Sequence, residues 1–208
     1  YQDRTKLILS NINLKIHTGS QVGFIGESGS GKSTLINVII GLLEPSKGCV
    51  KIDGNDIQYN LRSWTKQIGY VSQNIYLTDD TLRNNIAFAL KNEDISDHAV
   101  KEAIAGADLE EFVNNLPEGL NTIVGEKGVR ISGGQSQRLG IARALYHKPA
   151  VLVFDEATSA LDVETEKDIM NEVNKLKGNK TVIIVSHRLS AVSNCDQLFK
   201  IDKGQIVK

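Results

Sequence analysis

Two groups of residues in this chain have the types and spacing to handle a phosphate chain. The first is Gly26-Glu27-Ser28-Gly29-Ser30-Gly31-Lys32-Ser33, a full match to the pattern G-x-x-x-x-G-K-[S/T]. Its glycines let the backbone curl until successive N–H groups point inward at anionic oxygens. A short apolar stretch, Gln21–Ile25, precedes it, and helical spacing from Lys32 to about Leu43 follows. The positive end of that helix adds to the field at the turn. Lys32 is expected to reach the β- and γ-phosphates of a nucleotide, and the Ser33 hydroxyl to ligate Mg²⁺. An ordinary Gly-rich strand-to-helix turn is the bland alternative, and the complete match weighs against it.

The second group is an acid pair at the end of an apolar run, Val151-Leu152-Val153-Phe154-Asp155-Glu156. Burying acids is costly, so a strand should end where its charges meet solvent or a metal. Asp155 suits a Mg²⁺ shell. Glu156, one residue on, can face an attacking water as general base or water-positioner. A strand-end acid pair is common on its own; this one follows the phosphate turn by 123 residues, counted from Lys32. The turn alone fits a transporter, a GTPase, a kinase or a recombinase. A GTPase would need N-K-x-D for guanine, and Asn179-Lys180-Thr181-Val182 lacks the Asp.

The elements that must position these residues alternate. Strand-like runs fall at Gln21–Ile25, Ile68–Ser72, Ala150–Phe154, Thr181–Ser186, Leu198–Ile201 and Gln205–Val207. Leu7–Ile16 alternates apolar and polar residues and predicts a half-buried strand region. Val50–Ile57 carries Asp53-Gly54 and predicts a strand pair with a tight turn. Helical spacing marks Thr81–Asn115, a stretch opening at Ser132 and running to about His147, and Val163–Lys177. Strands alternating with helices predict an α/β fold with a mostly parallel sheet. Residues 1–73 and 149–208 are expected to form the core with an antiparallel β part, and 74–148 an inserted helical lobe.

Composition fits one globular unit: 208 residues, 40% hydrophobic, 24% charged, formal charge −1. Without a basic excess, nucleic acid is not an expected partner. No apolar run approaches the roughly 18 residues of a membrane span. Cys49 and Cys195 lack metal or paired spacing and read as two buried thiols. The polar start at Tyr1 and the stop at Lys208, each beside strand-like sequence, are expected to be cuts from a longer polypeptide.

With these residues in place, the chain resembles the nucleotide-binding ATPase domains of ABC transporters. Ile131-Ser132-Gly133-Gly134-Gln135 resembles the L-S-G-G-Q signature, and Gln137–Leu145 continues in the family's style. In physical terms this is a second anion site, with Ser132 capping a helix beside a Gly-Gly backbone. The resemblance implies that two copies pack head to tail, so that Ser132, Gly133, Gly134 and Gln135 of one cover the ATP held by Gly26–Ser33 and Thr34 of the other. It implies a Q-loop glutamine at Gln73 touching Mg²⁺ or water, a D-loop at Ser159-Ala160-Leu161-Asp162 and a switch histidine at His187. It also implies an adenine-stacking aromatic at Tyr1. The implied catalytic set is Lys32, Gln73, Glu156 and His187, with Ser33, Gln73 and Asp155 on the metal.

Thr122–Gly128 resembles the T-x-V-G-E-x-G loop of exporter-type domains, and Asn74–Ile86 the exporter stretch that receives coupling helices. Ile75, Thr78 and Asp80 depart from the common pattern there. The resemblance thus implies an exporter motor bound to a transmembrane domain at the cytoplasmic face of a membrane, with a hint of glycolipid cargo. A soluble ABC ATPase acting on DNA or ribosomes is the first alternative. The interval of 59 residues from Gln73 to Ser132 leaves no room for a long coiled coil. A regulatory module without turnover is the second, and Glu156 and His187 argue against it.

Overall fold

The structure, a computed structural model, describes residues 7–207. The chain enters through β1 (Gln21–Ile25) and α1 (Lys32–Ile39), then β2 (Lys51–Ile52), β3 (Asn55–Asp56) and α2 (Leu61–Thr65). After β4 (Ile68–Ser72) and β5 (Asp80–Thr81) it turns helical, with α3 (Leu82–Ile86), α4 (Asp97–Gly106) and α5 (Glu110–Asn114). Then come β6 (Ile123–Val124), α6 (Gly133–Leu145), β7 (Val151–Asp155) and α7 (Val163–Lys175). β8 (Thr181–Val185), α8 (Leu189–Val192), β9 (Gln197–Asp202) and β10 (Gln205–Val207) complete it.

Six of the strands form one sheet in the order β10-β9-β1-β8-β7-β4. From β9 to β4 every neighbour is parallel; β10 runs antiparallel on β9. Strands covered on both faces read as unbroken apolar runs, and alternate side chains go to opposite faces. On one face Val22, Phe24, Val151, Val153, Ile183 and Val185 pack with Leu35 and Ile36 of α1 and with Trp64. On the other, Leu152, Phe154, Val182 and Ile184 pack with Leu82, Ile86, Val100, Ile104, Leu139 and Leu145. This is the expected α/β architecture, a mostly parallel sheet flanked by helices with antiparallel strands added.

Helices α3 to α6 and the short β5–β6 pair gather on the β4 side of the sheet, with α6 against β4, α3 and α4. Helix α6 starts on a capping box. The Ser132 hydroxyl accepts from Gln135 N–H (3.2 Å), and the Gln135 side-chain oxygen accepts from Ser132 N–H (2.9 Å).

Several sequence expectations need correction. Leu7–Ile16 is not a strand. Leu9, Ile12, Leu14 and Ile16 do pack inward as the alternation implied. The segment nonetheless joins no ladder; Ser10 N–H donates to the Gly204 carbonyl, and Asn11 takes a left-handed φ of 53°. The antiparallel β2–β3 hairpin is two residues per strand, turned by Asp53 (φ 50°) and Gly54 (φ 83°) as its sequence predicts. Helix α1 stops at Ile39 rather than near Leu43. Gly41, at φ 82°, provides the left-handed C-terminal stop. The cysteines are not both buried: Cys49 is exposed and Cys195 half-buried. Burial pushes the Cys195 thiol up to about 11, with Asp196 adding to the effect.

Candidate functional site

The turn between β1 and α1 needs its glycines. A side chain at Gly26 would collide with the Ile201 carbonyl, and Gly31 sits at φ 108° against Leu9. Lys32 opens α1 and is buried. Its ammonium donates to the Gly26 and Glu27 carbonyls, both at 2.9 Å, and lies 3.8 Å from Glu156 Oε1. The cation is therefore held over the curl of backbone that its neighbours form. Ser30 folds inward, and its buried hydroxyl has no partner among the described residues.

Strands β7 and β4 deliver the acids and the glutamine. Their register pairs Asp155 with Ser72, which puts Gln73 at the rim beside the acid pair. The Gln73 carbonyl accepts a 2.7 Å hydrogen bond from Gln137 Nε2 on α6, tying the rim to the helical region. Asp155 accepts from the Tyr70 hydroxyl at 2.8 Å through Oδ2. Its Oδ1 is buried without a partner among the described residues. Burial raises the Asp155 carboxyl above the usual carboxylate range, and Glu156 pushes the same way; the Tyr70 hydrogen bond and Lys32 pull it down. Tyr70 is itself raised, by burial first and then by its bond to Asp155.

Glu156 is strained. It holds φ 52°, a region L-residues rarely occupy, with its N–H on the Val185 carbonyl. That twist turns its side chain off the strand toward Lys32. His187, just past β8, brings Nδ1 to 4.0 Å from Glu156 Oε2.

One cleft of about 480 Å³ collects Ser28, Gly29, Gly31, Lys32, Ser33, Thr34, Gln73, Asp155 and Glu156. Gly26, Glu27 and Ser30 are not among its lining residues; the Gly26 and Glu27 carbonyls hold the Lys32 ammonium. Ile8, Tyr70, Ser72 and Asn74 line it too and escaped the sequence reading. Tyr70 shares a face of β4 with Ser72, and its part here follows from how β4 packs against β7.

The signature residues are elsewhere. Ser132, Gly133, Gly134 and Gln135 are not among the residues lining the cleft. They start α6 beside the loop before α7, with Gly133 facing Leu161 and Gly134 packed on Thr165. Asp162 caps α7, accepting from Thr165 N–H (3.0 Å) and its hydroxyl (2.7 Å). Tyr1 lies outside the described residues.

A buried lysine over a glycine curl, facing a strand-end acid pair within a parallel sheet, defines a nucleoside triphosphate-hydrolysing fold. The family model described as ABC transporter matches residues 9–159, and the chain belongs to that family. It is 41% identical over 209 residues to the ATP-dependent lipid A-core flippase of Vibrio cholerae serotype O1, covering 100% of this chain and 36% of the flippase. It is 45% identical over 209 residues to the leukotoxin export ATP-binding protein LtxB of Aggregatibacter actinomycetemcomitans, covering 100% of this chain and 29% of that protein. Among solved structures it resembles a bacterial Atm1-family ABC exporter with ATP bound, with a TM-score of 0.87 and 37% identity, covering 100% of this chain and 36% of that one. The chain thus spans about a third of the length of these relatives. It is an ATP-binding, ATP-hydrolysing domain of the family.

Proposed function

We propose that this domain is the motor of an exporter, in which two copies close head to tail around two Mg-ATP molecules. The supporting observation is a separation. The phosphate turn, Gln73, Asp155 and Glu156 share one cleft, while Ser132–Gln135 of the same copy stay out of it. On this reading the signature serves a second copy's nucleotide.

Within the cleft, backbone N–H groups of 26–33 and Lys32 bind the phosphates, Ser28, Gly29 and Thr34 line their path, and Ser30 backs the turn from within. Glu156, close to Lys32 and His187, orients water and takes its proton as the γ-phosphate leaves. His187, 4.0 Å from that carboxylate, senses that phosphate. The donor set suits Mg²⁺: hard oxygens from Ser33, Gln73 and Asp155, whose buried Oδ1 has no partner among the described residues. When bound, the ion neutralises charge on the phosphate oxygens. Tyr1 would stack on the adenine, and Asp162 would reach the twin from the start of α7.

We assign residues 1–73 and 149–208 to the nucleotide core and 74–148 to the lobe that carries the signature. The surface for a transmembrane domain is the junction of Asn74–Ile86 with Thr122–Gly128. Its support is that β5 pairs with β6, and that Asp79 Oδ1 accepts from Lys127 N–H at 2.9 Å. No described helix is long and apolar enough to cross a membrane, and the relatives this chain matches run to about three times its length. The domain would then work at the cytoplasmic face. Glycolipid export is favoured by the lipid A-core flippases among the relatives. A soluble ABC ATPase or a silent nucleotide-binding module is not favoured.

The test is Glu156→Gln with Mg-ATP. Turnover should fall by about 100-fold or more, and sedimentation should show a dimer that dissolves when ATP is removed. Full turnover, or a monomer at saturating Mg-ATP, would overturn the reading.

A further inference from the structure

A buried carboxylate outside the cleft joins the two loops that flank Glu156. Glu166, on α7, is 3% exposed. Its Oε1 accepts from Thr158 Oγ1 at 3.0 Å. Its Oε2 accepts from Arg188 Nη1 at 3.1 Å and from Ser190 Oγ at 3.3 Å. The same guanidinium donates to the Leu161 carbonyl (3.0 Å) and, through Nη2, to the Ser159 carbonyl (2.9 Å). The Arg188 N–H donates to Ser186 Oγ at 2.9 Å.

The pair is half-buried, with Glu166 inside and Arg188 partly exposed, and an ion pair taken from water adds little stability over an apolar replacement of the same size, so stability does not account for this one. Geometry does. The planar fork of an arginine meets several acceptors at fixed angles, which a lysine does not reproduce. Its two carbonyl acceptors here, Ser159 and Leu161, belong to the loop running from Glu156 to Asp162, its carboxylate acceptor Glu166 stands on α7, and the arginine itself directly follows His187. Segments 158–161 and 187–190 are therefore held as one body, one following Glu156 in the chain and the other following His187.

We propose that Glu166 and Arg188 form a strut that locks the 158–162 loop to His187. A second copy docking on that loop then sets where His187 stands relative to Glu156. Both are positioning residues; neither touches nucleotide. The inference rests on the head-to-tail reading above.

The test compares Arg188→Lys, which keeps the charge but does not span the carboxylate and both carbonyls, with Glu166→Gln, which keeps the shape. ATP hydrolysis by the chain is followed against ATP concentration, with thermal melting to give the folded fraction. Expected is a kcat lowered about 10- to 100-fold with KM within about threefold of the unaltered chain. A kcat loss no larger than the loss of folded protein, or a raised KM at unchanged kcat, would overturn the strut. If Glu166→Gln does not fold, Arg188→Lys decides. Normal turnover in Arg188→Lys beside a dead Glu156→Gln would sink the strut alone. Absence of hydrolysis in the unaltered chain at every concentration would sink the functional reading first.

Discussion

At the residue scale, Tyr70 shows how a side chain with no motif can still shape a site. Its hydroxyl is the one donor that Asp155 Oδ2 receives from the described side chains, at 2.8 Å. Tyr70→Phe should cost about 1 kcal/mol, the usual worth of a hydrogen bond, and lower Tm by about 2–4 °C in a chain of this size. An unchanged Tm in calorimetry would mean that the hydroxyl does not hold the carboxylate. The residues around it were legible because their chemistry fixes their spacing: Gly26 to Ser33 must be contiguous to form a curl, and Asp155-Glu156 must follow an apolar strand. Tyr70 was not, since its part comes from cross-strand register. Arg188 was not either, because its acceptors at Ser159, Leu161 and Glu166 meet it only after β8 and α7 are packed.

At the element scale, the caps carry the consequences. Asp162 accepts from Thr165 N–H and from its hydroxyl, and these bonds hold its carboxyl below the ordinary 3.8. A depressed folded value means that the stabilisation is complete above the ordinary carboxylate range and is lost as pH falls through the folded value. Asp162→Asn should keep the neutral-pH Tm and flatten its fall in acid. Asp162→Ala should lose about 2–4 °C at neutral pH. Melting curves from neutral pH into acid check both arms; an Asp162→Asn chain with an unaltered acid slope would refute the assignment. Caps and turns were also where sequence spoke most clearly: Ser132 announces α6, and Asp53-Gly54 announces its hairpin. Leu7–Ile16 misled because alternation reports which face is buried, not whether a neighbouring strand supplies hydrogen bonds. Helical spacing carried α1 on to about Leu43, although the left-handed Gly41 ends it sooner.

At the scale of the whole molecule, the sheet parts two apolar layers. The cleft opens where β1, β7 and β4 end, at the carboxyl edge of the parallel strands, where α/β sheets bind their ligands. That edge was legible in the sequence, since the phosphate turn, Gln73 and the acid pair each stand at the end of an apolar run. The position of α6 was not, since it depends on how Gly134 nests on Thr165 and Gln137 reaches the Gln73 carbonyl. On the head-to-tail reading, Ser132 begins its helix away from the cleft of its own chain, so a lone copy would load nucleotide without the signature groups of its twin. Dilution then becomes a switch: hydrolysis per milligram should climb with chain concentration and level off once every molecule is paired. A specific activity that stays flat from dilute to concentrated solution would show that one copy suffices.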